Sequence, residues 1–339
     1  MSDQITMKDI ARMLGVSVST VGRSLADRPE ISPATKARVR DLADRQGYIA
    51  HSAARTMRTG HSSLVGLIVP DVRNDFYGAA AMALARCCED AGFRLMLAAT
   101  RDDPDSELRQ VRGLIEARAA GVVIAPSPAP RAETLALLSR AVSVELIRSS
   151  APGASAWFGI DDRNGIEAAT RHLLDLGHRR IGYIGGHEGL STGRDRLAGF
   201  RAAFAAAGLS PSPALVRLGP PDAAFAERAF ARMWQDGGDG FTALVTAGAE
   251  LTVGALESIG RLNVDVPGRL SVVGFGDAPW FRWWGPGLTT MTLPVYDLAY
   301  ACGGYLMRRL RETGADAGPA YRAMHAPVLA VRGSTAPHV

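Results

Sequence analysis

The sequence predicts an α/β protein, with a small all-α head followed by a two-lobed body of doubly wound parallel sheets. Three observations lead there. The first 60 residues carry only helical periodicity, short apolar runs alternate with amphipathic stretches from Leu64 onward, and that alternation comes in two series. With 339 residues, 47% hydrophobic and 21% charged, the chain has material for two or three domains and is neither disordered nor collagenous. Cys87, Cys88 and Cys302 contain no C-x-x-C pair, which excludes a disulfide-stapled scaffold and fits a reducing compartment with the thiols packed in helices. No run reaches the ~20 apolar residues of a membrane span. Met1-Ser2-Asp3-Gln4 lacks the basic and apolar parts of a signal peptide, so a cytoplasmic chain with no membrane partner is expected.

In the head, Thr6 and Asp9 have the spacing of a capping box, and Ile10, Ala11 and Leu14 mark one apolar face, giving a first helix over 6–13. Gly15 supplies the positive φ of a tight turn, and Ser17 caps a second helix that runs through Val21 to Leu25 and stops near Asp27-Arg28-Pro29. Ser32 as cap, Pro33 in the first turn, Val39 and Leu42 inward and Gly47 as stop define a third. Two helices crossing over a short turn need a small residue at the contact, a glycine in the turn and a branched apolar residue facing back. Ala11, Gly15 and Val21 meet those needs, which is the helix-turn-helix pattern. Charge agrees with it: residues 1–60 hold ten Lys/Arg and six acids while the remainder balances at 28 of each, so the formal +4 lies in the head and points to a polyanionic partner. The same short patterns also suit a protein-binding three-helix bundle. In the DNA-binding alternative the second helix enters the major groove. Val18, Ser19 and Arg23 then meet base edges, with Arg23 able to grip a guanine and Val18 a thymine methyl, while Thr6, Ser17 and Thr20 suit phosphates.

Thr6-Met7-Lys8-Asp9-Ile10-Ala11 and Gly15-Val16-Ser17-Val18-Ser19-Thr20-Val21 resemble the head of the lactose/galactose repressor (LacI/GalR) family of transcriptional regulators. The similarity continues through Gly47-Tyr48, Val69-Pro70-Asp71, Gly177-His178-Arg179-Arg180-Ile181, Arg196-Leu197-Ala198-Gly199-Phe200, Ser271-Val272-Val273-Gly274-Phe275 and Arg332-Gly333-Ser334-Thr335-Ala336-Pro337, essentially the whole chain. It implies a helix-turn-helix DNA-binding domain over 1–49 and a hinge over 50–61. It further implies that 62–339 is a bilobed, periplasmic-binding-protein-like (type I) effector-binding and dimerisation domain, with crossings between lobes near 160, 291 and 321. The hinge is too short to hold a helix alone in water and is expected to fold when two copies meet over DNA, the alternative being an ordinary linker that happens to carry a Met. By the same resemblance Met57 stands where an apolar wedge opens the minor groove, Ala54 allows close backbone approach, and Arg55 and Arg58 reach phosphates. Two departures weaken the match. Gly22 replaces a serine in the second helix, at a cost of about 1 kcal/mol, and Ala50-His51 replaces Pro-Asn, leaving His51 to make the phosphate contact of that asparagine.

In the body, strands are expected over 64–69, 93–99, 121–125 and 144–147 with helices over 76–91, 104–118 and 131–140. A second series has strands over 157–160, 180–184, 243–246 and 270–275 and helices over 163–176, 194–207, 222–235 and 249–261. Ligands bind outside the carboxyl ends of such strands, so facing lobes enclose a cleft. The resemblance places Phe76 and Tyr77 there as aromatic contacts and Thr192 and Arg196 as polar ones, with Asp277 keeping the second of a pair of aspartates. Departures are more informative: Gly248-Ala249 stands for Asn-Asp, Gly276 for the first aspartate, Leu293 for a polar residue and Arg148 for an aspartate. Sugar hydroxyls need acceptors, and their exchange for glycine, leucine and arginine points to an anionic effector, a sugar acid or phosphorylated sugar, clamped by Arg148 and Arg196. The alternative turns Arg148 to solvent or to Glu145. Trp280, Trp283 and Trp284 are assigned to lobe packing or a subunit interface.

Gly189-Leu190-Ser191-Thr192-Gly193 fits G-x-S-x-G, the nucleophile elbow of a serine esterase. Gly185-Gly186-His187-Glu188 loosen the required turn, however, and Asp277 and His325 complete a triad only by coincidence, so no catalytic residue is assigned and no enzyme is expected. There is no G-x-G-x-x-G or P-loop, and His172, His178 and His187 lack metal-ligand spacing; no cofactor or metal is expected. A solute-binding protein would share the body but has no use for a basic helix-turn-helix head. The function expected is a sequence-specific repressor, a homodimer on double-stranded operator DNA controlled by a small-molecule effector. No heptad tail follows Pro337 to drive higher assembly.

Overall fold

The computed structural model describes residues 5–48, 62–150, 156–237, 240–312 and 321–338, and the chain divides into two compact units, 1–60 and 61–339. The head consists of α1 (Met7–Leu14), α2 (Val18–Leu25) and α3 (Pro33–Arg45). Each starts where a side chain can take up a free amide. Thr6 and Asp9 close a capping box on α1, Ser17 accepts from the Thr20 amide, and Ser32 accepts from the Thr35 amide. Gly15 turns the chain in the left-handed region, φ 64°. Ile10, Ala11, Val21, Val39 and Ala43 form the buried core, with Met7, Leu14, Val16, Leu25, Leu42 and Tyr48 packed around it. The expected hinge residues His51, Ala54, Arg55 and Met57 lie outside the described residues.

The first lobe of the body is built on β1 (Leu64–Val69), β2 (Arg94–Ala99), β3 (Gly121–Ile124), β4 (Ser143–Leu146), β5 (Ala156–Ile160) and β11 (Arg322–His325). These strands are all parallel, in the order β11-β5-β4-β3-β1-β2. Its helices are α4 (Asp75–Asp90), α5 (Pro104–Glu116), α6 (Ala132–Leu138) and α11 (Val295–Arg311). The second sheet has the order β12-β10-β9-β8-β6-β7, formed by β6 (Ile181–Gly186), β7 (Val216–Gly219), β8 (Ala243–Thr246), β9 (Ser271–Phe275), β10 (Thr289–Thr292) and β12 (Val328–Ala330). Only β12 runs antiparallel to its neighbour among these described strands. α7 (Asp162–Asp175), α8 (Ser191–Ala206), α9 (Ala223–Gly237) and α10 (Ala249–Arg261) accompany it. The near-continuous apolar strands follow from sheets covered on both faces.

Three expectations need correction. The strand over 157–160 does not open the second series: β5 joins the first sheet, Leu146 opposite Phe158, because its fully buried residues need strand neighbours on both sides, β4 and β11. The third passage between sheets falls at Ala326-Pro327 rather than near 321, since Arg322–His325 first adds an edge to the first sheet. β7, β10, β11, β12 and α11 escaped the periodicity reading. β7, β11 and β12 lack a buried apolar run, and β10 is Thr-rich yet almost wholly buried.

Two helices of the second lobe approach closely at Gly199, where an added Cβ would collide with the Arg163 carbonyl oxygen. Gly199→Ala is expected to destabilise the body by about 1–3 kcal/mol, read as a lower urea midpoint. An unchanged midpoint would contradict the close packing of α7 on α8.

Candidate functional site

The head presents one polar face. Val21 and Ser24 point into the core, Ser24 donating to the Thr20 carbonyl at 2.8 Å, and this rotation of α2 leaves Val18, Ser19 and Arg23 exposed. Ser19 and Arg23 are one turn apart, so they share a face. Ser17, Ser19 and Thr20 are linked by hydroxyl contacts of 2.8 Å centred on the Ser17 cap. Thr6 is less available than expected: its amide and its hydroxyl both donate to Asp9 Oδ2, at 3.0 and 2.6 Å, so a phosphate contact there would have to break the capping box. Three acids of the head are used internally, Asp9 by Arg12, Asp27 by Lys36 and Arg40, and Asp41 by Arg45, while Glu30 and Asp44 make no ion pair among the described residues. Lys8, Arg23, Arg28 and Arg38 are left without an ion-pair partner among the described residues. The result is an exposed α2 N-terminus on a head whose four unpaired cations outnumber its two unpaired acids among the described residues, which suits phosphates and base edges.

In the body, the carboxyl ends of the strands bring the second set of residues together. From the first lobe come Phe76 and Tyr77 at the start of α4, Asp102 after β2 and Arg148 after β4; the two aromatic rings meet edge to face at 5.2 Å. From the second come Asp162 at the start of α7, Thr192 and Arg196 on α8, Gly248 ahead of α10 and Gly276 after β9. Tyr77 lies within the fields of Arg148 and Asp102 on one side and Arg196 and Asp162 on the other, and burial pushes its phenol pKa up. The Ser149 amide donates to Ser191 Oγ at 2.9 Å, joining the two walls. Two surface hollows lie elsewhere, one of about 390 Å³ beside Cys87, Tyr300 and Arg308, the other of about 530 Å³ beside Arg179, Arg180 and His338.

The expected pair of bare guanidinium groups is not what the cleft holds. Arg148 is buried and doubly bonded to Asp102, with the Nη2 to Oδ2 distance at 3.3 Å. It neither faces solvent nor reaches Glu145, whose carboxylate takes the amide and hydroxyl of Ser150. Arg196 donates from Nε to Asp162 Oδ1 at 2.8 Å and from Nη1 to the Ala247 carbonyl at 2.9 Å, and its plane lies over the Phe275 ring at 4.3 Å. Burying a cation requires a counter-charge, and both arginines have one. Gly248 and Gly276 leave room at this point: a Cβ on Gly248 would come 3.7 Å from Arg196 Nη1, and Gly276, at φ 96°, sits against Ala249. Asp277 departs from expectation. Arg332 binds both of its oxygens at 2.8 Å and Thr290 donates to it at 2.9 Å, so it ties β9 to the C-terminal segment instead of offering free lone pairs to a ligand. Trp284 packs on the second-lobe core, while Trp280 and Trp283 are exposed.

Sequence reasoning missed Asp102 and Asp162. The only signal for them was their position just after a strand, at the start of a helix or one residue before its cap. The first wall is also held by unusual backbone: Arg101, Asp102 and Ile147 all have φ near +60°, and the Arg148 amide bonds to the Leu146 carbonyl at 2.7 Å around Ile147. Such conformations cost about 1–3 kcal/mol each and persist only where surrounding contacts enforce them.

A polar-faced helix-turn-helix head and a two-lobed α/β body with a charged cleft define a ligand-responsive DNA-binding protein. The comparisons agree. The model described as "Bacterial regulatory proteins, lacI family" matches residues 6–51, and "Periplasmic binding protein-like domain" matches residues 170–335. The HTH-type transcriptional regulator GalR of Escherichia coli (strain K12) is 32% identical over 295 residues, 87% of this chain and 86% of its own. Among solved structures, the lac repressor dimer bound to operator and the anti-inducer ONPF superposes with a TM-score of 0.84 at 21% identity, over 98% of this chain and 100% of that one. The transcriptional regulator CelR in complex with cellobiose gives 0.72 at 23%, over 97% and 99%. The chain belongs to the LacI/GalR family: it is a DNA-binding transcriptional regulator with an effector-binding domain.

Asp162 carries the cleft's clearest pH signature, because burial pushes its carboxyl up to about 6 against the pull of Arg196. Between the ordinary value of 3.8 and about 6, the folded chain holds a proton that the unfolded chain releases. Stability therefore declines as pH rises through that window and is flat above it. Relative to Asp162→Asn, the wild type is expected to lose about 3 kcal/mol across it, measured by urea unfolding at stepped pH. A constant difference between the two proteins would contradict the burial of this carboxylate.

Proposed function

We propose that this regulator is a repressor that acts in the cytoplasm as a homodimer on a nearly palindromic operator, with α2 of each head in a major groove. The observation that carries the reading is the outward face of α2, where Val18, Ser19 and the unpaired Arg23 project from a helix whose other side is fixed in the core. Arg23 reads a guanine, Val18 meets a thymine methyl, and Ser17, Thr20 and the helix amides hold phosphates. His51, Ala54, Arg55 and Met57 form the hinge contacts, with Met57 as the minor-groove wedge. A homodimer is supported by exposed apolar side chains on the first lobe, Met82, 73% exposed on α4, and Met96 and Leu97 on β2, an edge strand of the sheet among the described residues. An apolar edge of this kind is covered most simply by a symmetric copy of itself.

The effector occupies the cleft between Phe76, Tyr77, Asp102 and Arg148 on one wall and Asp162, Thr192, Arg196, Gly248 and Gly276 on the other. Each Arg–Asp pair offers N–H donors beside carboxylate lone pairs with no net charge, which suits a hydroxyl-rich carbohydrate-like ligand better than an anion. A solved relative holding cellobiose supports that class. An effector that prefers one angle between lobes changes DNA affinity by its differential affinity for the two states. The protein is not an enzyme in this reading: Ser191 accepts the Ser149 amide, and Asp277 is held by Arg332.

Reading and positioning separate by mutation. Arg23→Ala should cost about 1–3 kcal/mol on the operator and relax preference at one base pair, whereas Thr20→Ala should weaken all sequences alike. Fluorescence anisotropy on operator and scrambled duplexes checks this, and equal losses on both for Arg23→Ala would sink the assignment. Met57→Ala should reduce DNA bending in a gel assay more than it alters half-site preference; unchanged bending would exclude the wedge.

A further inference from the structure

We propose that Asp102 sets the charge selectivity of the effector cleft. By occupying Arg148 it makes the first-lobe wall refuse anionic ligands, and removing its charge turns the same wall into an anion receptor. The proposal rests on reading this cleft as the effector site.

Arg148 is only 7% exposed, and its described partners are the Asp102 carboxylate, in a two-point contact, and the Pro126 carbonyl at 3.5 Å. Its other acidic neighbour, Glu107, accepts the Ser127 amide at 2.6 Å through Oε2 and makes no hydrogen bond to Arg148, its Oε1 being buried without a partner among the described residues. Asp102 is therefore the counter-charge that allows a guanidinium to be buried here. The pairing is built into the backbone from both ends, by the left-handed Arg101 and Asp102 after β2 and by the tight turn at Ile147 after β4. On the facing wall Arg196 is likewise satisfied by Asp162 and the Ala247 carbonyl. An entering carboxylate or phosphate would have to displace one bidentate carboxylate to gain another, with no net advantage, and would meet the displaced negative charge. A hydroxyl uses the remaining N–H groups and the outward lone pairs of both pairs without breaking either.

With Asp102 neutralised, Arg148 stays buried with only uncharged acceptors bonded to it, the Pro126 carbonyl and the new amide oxygen, and Glu107 the one acidic neighbour left in its field; a buried cation that has lost its bidentate counter-charge recruits an anion. Inorganic phosphate is a sufficient probe, titrated calorimetrically against chloride at matched ionic strength. The wild type should bind phosphate no better than chloride. Asp102→Asn should bind it at least tenfold more tightly than the wild type, and Asp102→Asn combined with Arg148→Met should lose the gain. Phosphate binding to the wild type that disappears in Arg148→Met would overturn the proposal without any Asp102 variant having to fold. So would an Asp102→Asn protein with an intact melting transition and no gain, or a gain that survives loss of Arg148. The operator experiments above do not depend on this result: a head that binds operator beside an unswitched cleft refutes only the role of Asp102, and a switched cleft below a head that ignores DNA refutes only the repressor reading.

Discussion

The reading of DNA depends on a small packing contact. Val21 of α2 is fully buried with Ile10 and Ala11 of α1 and Val39 and Ala43 of α3, and so small a core has little stability to spare. That contact fixes the rotation of α2 about its own axis. Once Val21 and Ser24 point inward, the 3.6-residue period obliges Val18, Ser19 and Arg23 to point outward. Gly15 makes the contact reachable, because its left-handed turn lets α1 and α2 cross without a linker. A chain that buried Ser19 instead would turn Arg23 toward the core, where a guanidinium with no carboxylate beside it could not remain.

The cleft obeys the same electrostatic rule with a different outcome. Arg148 after β4 and Arg196 on α8, largely buried at the cleft, lose their water and must take a counter-charge with them. Asp102 and Asp162 supply it, and a wall that looks cationic from its residue types is nearly neutral in its geometry. Ligand chemistry is set by the pairs rather than by either member. The strain stored at Arg101, Asp102 and Ile147 shows that the fold gives up stability to hold one of these pairs where it is.

Much of this was legible beforehand, for identifiable reasons. The head was readable almost residue by residue because caps, a turn glycine and a 3.6-residue apolar period are local signals; Thr6, Ser17 and Ser32 start their helices as expected. The long buried strands were readable because an unbroken apolar run such as Leu64–Val69 has few alternatives. What failed was non-local. Arg322–His325 and Val328–Ala330 become strands only because another strand lies beside them. Asp277 matches a ligand-binding position by motif, yet an arginine 55 residues away takes both its oxygens. The anion clamp inferred from Arg148 failed similarly, since Asp102, 46 residues earlier, cannot be paired with it by spacing. Residue types locate a wall; only tertiary contacts decide its charge.

A groove-reading head is joined to a regulated body, and regulation has meaning only if two copies of α2 read DNA in symmetric register. Selecting bound fragments from a random duplex pool with the full-length protein and sequencing them tests that claim most directly. The account predicts an enriched motif with two-fold symmetry and half-sites about one helical turn apart. No enrichment over input, or an unpaired asymmetric motif, would contradict it.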